Sequence, residues 1–276
     1  MNNRMWVARE ALLHALDALL AQRAAVIVVG AQALYLRTGD ADLAVAPFTN
    51  DADLVLDPDL LLDIPAIERA MLDGGLARAG PDKLGVWVAA VSATGLAPER
   101  VPIDLMVPAA VAPGVGRRDA DLPRHGPRVA RKVTGLEGAL VDRDWMEISS
   151  VDPAPPREVH AQVAGPAALL VAKAHKISDR GRSARAVDKD VLDVLRLLRA
   201  VPSIELARRL RSLAIDPRSQ ASSARGLHLV RDQFLRGGLG LEMIARAVTD
   251  LMDPDEARRS CELLTEELLD EVARIA

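Results

Sequence analysis

The pattern of apolar positions changes character near residue 160. Before that point, short Val- and Ile-rich runs alternate with helical stretches and Gly/Pro turns, which is typical of strands joined by helices. The predicted strands are 25–29, 54–56, 86–91 and 101–107. After that point, apolar residues recur at helical spacing. The pattern therefore predicts an α+β chain, with a mixed sheet and flanking helices followed by an all-helical C-terminal half.

Proline and glycine mark the expected boundaries. The stretch 151–160, VDPAPPREVH, holds three prolines within four residues and predicts a linker. We expect an α/β domain at 1–155, opening with an amphipathic N-terminal helix, and a helical domain at 160–276. Four or five helices are predicted in the second domain, with breaks at Pro202, Pro217, Gly237-Gly238 and Pro254.

Composition narrows the classes of protein and site. The single cysteine, Cys261, excludes an internal disulfide framework and a thiolate zinc site, and it favours a reducing, cytoplasmic location. Aromatic residues make up only 2% of the chain, which argues against base stacking as the main binding device. No apolar run is long enough for a membrane span, so we expect no membrane partner.

Charge is distributed unevenly along the chain. Residues 113–212 hold 19 Lys/Arg against 13 Asp/Glu, whereas residues 1–112 hold 8 against 14 and residues 213–276 hold 8 against 12. A basic middle segment favours an anionic ligand, and an ordinary solvated surface is the alternative.

The first predicted strand ends at Gly30 and continues directly into a helix-forming stretch. A glycine there lets the backbone turn tightly, and the free N–H groups of a new helix attract an anion such as phosphate. Taken alone, the same pattern is an ordinary corner of an α/β unit.

Three carboxylates follow this turn on neighbouring predicted strands. Asp51 and Asp53 lie one residue apart and point to the same face, and Asp104 lies in the middle of the strand at 101–107. Together with Gly30 they predict a site for two Mg²⁺ or Mn²⁺ ions, because carboxylate oxygens suit these ions and histidine is scarce nearby. The alternatives are a charge-protected edge strand at 51–57 and a core Asp104 bonded to backbone N–H groups.

These motifs together resemble a known superfamily. The matching segments are Gly30-Ala31-Gln32-Ala33, Thr49-Asn50-Asp51-Ala52-Asp53 and Ile103-Asp104-Leu105. They look like the nucleotidyltransferases of the DNA polymerase beta type, and more narrowly the AbiEii/AbiGii-like family, which includes type IV toxin–antitoxin toxins. Within 169–198, Lys173, Arg180 seven residues on, and Lys189-Asp190-x-x-Asp193 resemble that family's helical half. The resemblance covers about residues 22–200 and implies the nucleotidyltransferase fold.

The resemblance also implies roles for individual residues. Asp51 and Asp53 would be metal ligands, Asp104 the third carboxylate that activates the acceptor hydroxyl, and Lys173 a contact to the nucleotide phosphates. Asp190 and Asp193 would tie the helices to the edge of the active site. The remaining nucleotide-binding candidates are Gly30, Ala31, Gln32, Thr49, Lys176 and Arg180. The alternative for the lysines and Arg180 is a solvated helix face, and for 189–193 it is surface ion pairing.

The acceptor is indicated by a basic strip just after Asp104. Its members are Arg117, Arg118, Arg124, Arg128, Arg131 and Lys132. Such a strip suits a phosphate-rich acceptor such as a tRNA 3′ end, and a flexible charged loop is the alternative.

Three functions stay open from the sequence. The first is metal-dependent transfer of a nucleoside monophosphate from a nucleoside triphosphate (NTP) to RNA, as a toxin restrained by an antitoxin protein. The second is a weakly active or inactive nucleotide-binding regulator, because Ala31 stands where the superfamily usually has Gly or Ser. Gln32 or the backbone are the expected substitutes for the missing hydroxyl. The third is nucleotidylation of a small molecule such as an antibiotic.

Overall fold

The computed structural model describes residues 3–39, 49–92, 98–114, 116, 118–151, 157–180, 189–249 and 251–275. Its described strands are β1 Val26–Val29, β2 Ala52–Leu56, β3 Ala77–Arg78, β4 Val86–Val91, β5 Glu99–Pro108, β6 Arg131–Val133, β7 Arg143–Ser149 and β8 Glu158–Ala164. Its described α-helices are α1 Asn3–Ala18, α2 Gly30–Thr38, α3 Ile67–Asp73, α4 Pro166–Arg180, α5 Lys189–Ala200, α6 Ser203–Ile215, α7 Gln220–Phe234, α8 Leu239–Ala247 and α9 Pro254–Ile275. Short 3₁₀ turns cover Leu20–Gln22, Pro58–Leu60 and Glu137–Leu140.

The strands form one mixed sheet. Their order is β3-β4-β5-β2-β1-β8-β7, and β6 pairs with β5 off this path. The pairs β1/β2, β3/β4, β4/β5 and β7/β8 are antiparallel, whereas β1/β8, β2/β5 and β5/β6 are parallel. Since β2 lies between β1 and β5, the alternative of a charged edge strand at 51–57 is wrong. The predicted fold class, a mixed sheet with flanking helices and a helical C-terminal half, is confirmed.

The four predicted strands are central because they are the most apolar. All four residues of β1 are buried, as expected for a β-branched run covered on both faces. The predicted N-terminal helix is present as α1, which packs against β4 and β5 and buries Leu12 and Leu13 completely. Helix and sheet therefore share one apolar core in this part of the chain.

Strand β8 differs from the sequence expectation. It begins at Glu158, within the predicted linker, and continues to Ala164, beyond residue 160, where only helices were expected. The prolines at 153, 155 and 156 dominate the local pattern, whereas the alternation of Val159, Ala161 and Val163 that fits a strand is weak. Strand β7 was missed because most of its residues are polar and only Ile148 is fully buried.

The chain divides into two compact units. The first comprises the described residues within 1–36, 47–133 and 143–164, and the second those within 37–46, 134–142 and 165–276. The first unit contains the sheet.

The second unit contains α4–α9, one helix more than the largest number predicted. All four predicted breaks are confirmed: α6 begins after Pro202 and ends before Pro217, the glycine pair separates α7 from α8, and α9 begins at Pro254. On α5, the buried residues Val191, Val194, Leu195 and Leu198 follow the i, i+3, i+4, i+7 spacing of a helix with one apolar face. Across the described residues, no helix combines the length and apolar character needed to cross a membrane.

Candidate functional site

The turn between β1 and α2 requires a glycine. Strand β1 ends at Val29 and α2 begins at Gly30, whose φ is 68°, in the left-handed region that side chains disfavour. A Cβ on Gly30 would lie 2.0 Å from Oδ2 of Asp53. The carboxylate of Asp53 therefore lies directly against the start of α2, in space that only glycine leaves open.

Asp53 and Asp104 oppose each other on adjacent strands. The register of β1 with β2 pairs Val29 with Asp53, and the parallel register of β2 with β5 pairs Asp53 with Asp104. Paired residues on neighbouring strands project from the same face of the sheet, and both carboxylates are half-buried. Like charges placed opposite each other are destabilising, so this arrangement favours the binding of cations.

A guanidinium contacts the second of these carboxylates. Nη2 of Arg131 lies 3.2 Å from Oδ2 of Asp104 and donates a hydrogen bond to it. Among the described residues, Asp104 is held by a side chain of β6. The alternative of a core Asp104 bonded to backbone N–H groups therefore does not apply. In the sequence, Arg131 belongs to the basic strip, and its contact with Asp104 is not visible there because the apolar pattern does not show the pairing of β6 with β5.

Asp51 lies one residue before β2. Its Oδ1 accepts a hydrogen bond of 2.6 Å from Oγ1 of Thr49, whose residue is 1% exposed. Thr49, predicted to bind nucleotide, is in this arrangement a group that orients Asp51.

The carboxylates match magnesium in chemistry but do not form a complete set of ligands. Among the described residues, no group of three or more His, Cys, Asp or Glu side chains is placed to hold a metal ion. Magnesium in nucleotide enzymes is commonly bound through one or two carboxylates together with substrate phosphates and water. The Asp53–Asp104 pair fits that mode of binding, in which nucleotide phosphates complete the coordination.

The two residues after Gly30 are buried within the first unit. Ala31 is 6% exposed and Gln32 is 1% exposed. Nε of Arg9 donates a 2.9 Å hydrogen bond to Oε1 of Gln32, and Nη1 of Arg9 donates to the carbonyl of Ser149 at 3.2 Å. Within the described residues, Nε2 of Gln32 is buried without a hydrogen-bond partner. The amide carbonyl of Gln32 is therefore occupied inside the unit, and Nε2 is the group left to donate.

Arg9 was not identified from the sequence. Burial lowers the pKa of Arg9, and the neighbouring Glu10 acts in the opposite direction. Its helical spacing in α1 resembles that of any amphipathic helix, so no sequence signal marked it.

In the second unit, Lys173 lies in a buried ion network between α4 and α5. Its Nζ is 2.8 Å from Oδ1 of Asp190 and 2.6 Å from Oδ2 of Asp193, and all three residues are at most 5% exposed. Nζ of Lys176 lies 3.1 Å from the same oxygen of Asp190, and its side chain is 42% exposed. Lys173 is therefore not part of a solvated helix face. Asp190 and Asp193 are likewise not in surface ion pairs.

Charge pairing outweighs burial in this network. Burial alone would lower the pKa of Lys173, but the charges of Asp193 and Asp190 raise it above its ordinary value. Burial would raise the pKa of Asp190, but the two lysines lower it. Lys173 and Asp190 are thus held in their charged forms around neutral pH. Arg180, the other basic candidate, is the last residue of α4, and its side chain lies outside the described part.

The basic strip does not act as one surface. Arg117 lies outside the described residues. Arg124 pairs with Asp63, and Arg128 donates to the carbonyl of Pro81 at 2.7 Å. Arg118, Arg131 and Lys132 line a common pocket instead.

The comparisons with known proteins give little further information. No protein-family model matches the chain, and no curated protein matches it. One similar solved structure is an antigenic nucleotidyltransferase-like protein from Paracoccidioides brasiliensis, with 16% identity and a TM-score of 0.42. The match covers 78% of this chain and 93% of that chain. At this identity and TM-score, the likeness identifies neither a family nor an activity for this chain.

Proposed function

We propose that the protein is a nucleotidyltransferase that moves a nucleoside monophosphate from an NTP to a hydroxyl acceptor. The observation that carries the proposal is the contact of Gly30 with Asp53, which is itself in register with Asp104. A glycine turn at a helix N-terminus supplies an anion site, and paired carboxylates supply a cation site. Nucleotide transfer needs both sites side by side.

Each residue has a distinct role in this proposal. The N–H groups at the start of α2 bind the phosphates, since Gly30 lets them approach the backbone. Asp53 and Asp104 would hold Mg²⁺ or Mn²⁺ together with the nucleotide phosphates, and Asp51 stays a predicted further ligand. The bound ion would supply neutralisation of charge on the phosphates. Thr49 fixes the orientation of Asp51 through its 2.6 Å hydrogen bond.

The proposed reaction is a single displacement at the α-phosphorus of the NTP. The acceptor oxygen attacks the α-phosphorus, the bond from that phosphorus to the bridging oxygen breaks, and pyrophosphate leaves. Asp104 accepts the proton of the acceptor hydroxyl, because it lies opposite Asp53 and is oriented by Arg131.

The narrower parts of the proposal rest on the sequence resemblance. These are membership of the AbiEii/AbiGii-like family, an RNA acceptor such as a tRNA 3′ end, an antitoxin partner, a cytoplasmic location and a direct contact of Lys173 with nucleotide phosphates. They stay predictions. The buried network around Lys173 supports a role in joining α4 to α5 more directly than one in binding phosphate.

A nucleotide-binding regulator without turnover is the second candidate. Two observations favour it: Ala31 offers no hydroxyl beside Gly30, and the described residues contain no three-ligand metal group. Such a protein would bind NTP at the same turn and release it unchanged.

The test is a transfer assay with each labelled NTP in turn, Mg²⁺ or Mn²⁺, and total RNA. Wild-type protein is expected to label RNA with one of these combinations. Asp53→Asn is expected to abolish labelling, whereas Asp59→Asn, an exposed carboxylate three residues past β2, should label at the wild-type rate. Equal labelling by wild type and Asp53→Asn would refute the assignment of the site.

Calorimetry shows whether the nucleotide site exists, which both candidate functions require. Both candidates predict that divalent ions bind more tightly when a non-hydrolysable NTP analogue is present, and that Asp53→Asn removes this gain. Binding without label transfer would support the regulator. Absence of both would remove the nucleotide site altogether.

A further inference from the structure

A cationic pocket lies in the first unit, next to Asp104. Its volume is about 320 Å³, and its charged lining consists of Lys83, Arg118, Arg131 and Lys132, with Asp82 as the one acid. Lys83 comes from the turn that precedes β4. Arg131 and Lys132 belong to β6. The backbone N–H of Lys132 donates to the carbonyl of Arg118 at 2.7 Å, which holds these two segments together.

The cationic charge of this pocket is only partly neutralised. Arg131 contacts Asp104, and Nζ of Lys132 donates to the carbonyl of Gly114, a neutral group, at 2.5 Å. Within the described part of the chain, neither Lys83 nor Arg118 forms an ion pair with a carboxylate. Four cations against two carboxylates, Asp82 and Asp104, leave a net positive charge that attracts an anion, and ammonium and guanidinium groups are the usual partners of phosphate.

The size and the lining of the pocket indicate what part of a ligand it takes. Its volume is near the lower end of the range for small-molecule sites, about 300–1,000 Å³. The lining contains no aromatic ring on which a base could stack. A phosphate group fits this lining better than a nucleoside does.

Strand order places the pocket on the far side of Asp104 from Gly30. Gly30 follows β1, Asp53 lies on β2, Asp104 lies on β5, and the pocket is formed around β4 and β6, which both pair with β5. Val86, which also lines the pocket, is the register partner of Asp104. A group bound there would approach Asp104 from the side opposite the nucleotide turn.

We propose that this pocket binds a phosphate group of the acceptor, through Lys83, Arg118, Arg131 and Lys132. The source of the phosphate rests on the proposed function, whereas phosphate binding itself does not. Arg131 joins the two sites, because its guanidinium contacts Asp104 and lines the pocket. Binding there would bring an acceptor hydroxyl to the carboxylate that takes its proton.

Calorimetry with inorganic pyrophosphate in metal-free buffer tests phosphate binding. The double variant Lys83→Gln/Arg118→Gln is expected to bind pyrophosphate at least about tenfold more weakly than wild type, since it loses two charged donors. A matched control, Arg69→Gln/Arg100→Gln, removes the same charge from exposed positions outside the pocket and should bind as wild type does. Failure of wild type to bind pyrophosphate, or equal losses in both double variants, would overturn the proposal.

A second arm identifies the source of the phosphate. Metal-free binding of a short single-stranded RNA and of an NTP is measured for the same three proteins. Loss of RNA affinity in Lys83→Gln/Arg118→Gln, with NTP affinity unchanged, supports the acceptor. Loss of NTP affinity alone overturns that assignment.

These binding results can be separated from the fate of the proposed reaction. Pyrophosphate binding that depends on Lys83 and Arg118, in a protein that transfers no label, would keep the pocket and reject the transferase. Label transfer that the double variant leaves unchanged, at limiting acceptor, would keep the transferase and reject the pocket as the site of the acceptor's phosphate.

Discussion

Replacing Lys173 with methionine should destabilise the second unit strongly. The ammonium of Lys173 contacts Asp190 at 2.8 Å and Asp193 at 2.6 Å. Methionine keeps the length of the side chain and removes the charge, so both buried carboxylates lose the ammonium that they share. Lys176 lies 3.1 Å from Asp190, but its side chain is 42% exposed. If Lys173 served only to bind nucleotide phosphates, the same substitution would leave the melting temperature unchanged.

The size of the effect follows from the burial of the network. Removing one partner of a buried ion pair typically costs about 3–5 kcal/mol, because the remaining charge has lost both water and its partner. A domain of this size loses roughly 2–4 °C in melting temperature for each kcal/mol, so a decrease of roughly 6–20 °C is expected. Lys176→Met should cost less than about 1 kcal/mol, since its side chain is 42% exposed and its contact is screened by water.

Differential scanning calorimetry at neutral pH provides the measurement. The triple variant Lys173→Met/Asp190→Asn/Asp193→Asn should melt above Lys173→Met, because it removes the uncompensated charges together with their partner. A Lys173→Met protein that melts within about 2 °C of wild type would refute the reasoning, on the conversion used above. So would a loss in Lys176→Met as large as that in Lys173→Met.

The pH dependence checks the same network. The pKa of Asp190 is lowered on folding, so its contribution to stability is present above the ordinary carboxylate value of about 3.9 and is lost as the pH falls through the lower folded value. The pKa of Lys173 is raised, so its contribution is lost only at strongly alkaline pH, above about 10.4. The gap in melting temperature between wild type and Lys173→Met should therefore narrow as the pH falls below about 4, and a constant gap would contradict the assignment.

Two further predictions concern single residues. Gly30→Ala should abolish nucleotide transfer, because the new Cβ would lie 2.0 Å from Oδ2 of Asp53. Its control is Gly75→Ala, where φ is 79° and the space around the residue is open. That variant should lose only the stability cost of a left-handed backbone, about 1–2 kcal/mol. Transfer by Gly30→Ala at the wild-type rate would contradict this, and unfolding curves of both variants measure the backbone term. Burial raises the pKa of Cys261 to about 12. Its thiol should therefore not react with Ellman's reagent at mildly alkaline pH until urea unfolds α9. Rapid reaction in the native protein would show that the thiol is accessible.

Apolar pattern predicted the parts of the fold that lie in the core. The runs around Val26, Val86 and Val101 became strands because each supplies consecutive buried residues, and Pro202 and Pro254 marked helix starts because proline fits the first turn. Strands β7 and β6 carry too few buried residues for such a pattern. Their positions depend on pairing with distant strands.

The candidate site was predicted in its residue types and not in its contacts. Glycine after a strand and aspartates on the next strands are visible in the sequence, but the register that sets Asp53 opposite Asp104 is a property of the folded sheet. The partners of Arg131 and Lys173 are 27 and 17 residues away, and charge alone did not indicate them. Lys173 in particular could not be told from a solvated lysine without the packing of α5.

The contrast between two charged clusters explains why the function is placed in the first unit. Around Lys173, two ammonium groups face two carboxylates with short hydrogen bonds, so the network is satisfied by the protein itself. At the sheet, Asp53 and Asp104 oppose each other as like charges, and Gly30 adopts a φ that most residues avoid, so that Asp53 can lie against the helix start. Departures from local preference of this kind, gathered at one point, are typical of functional sites. A cation bound beside the two carboxylates would relieve their repulsion, whereas the charges around Lys173 already balance one another.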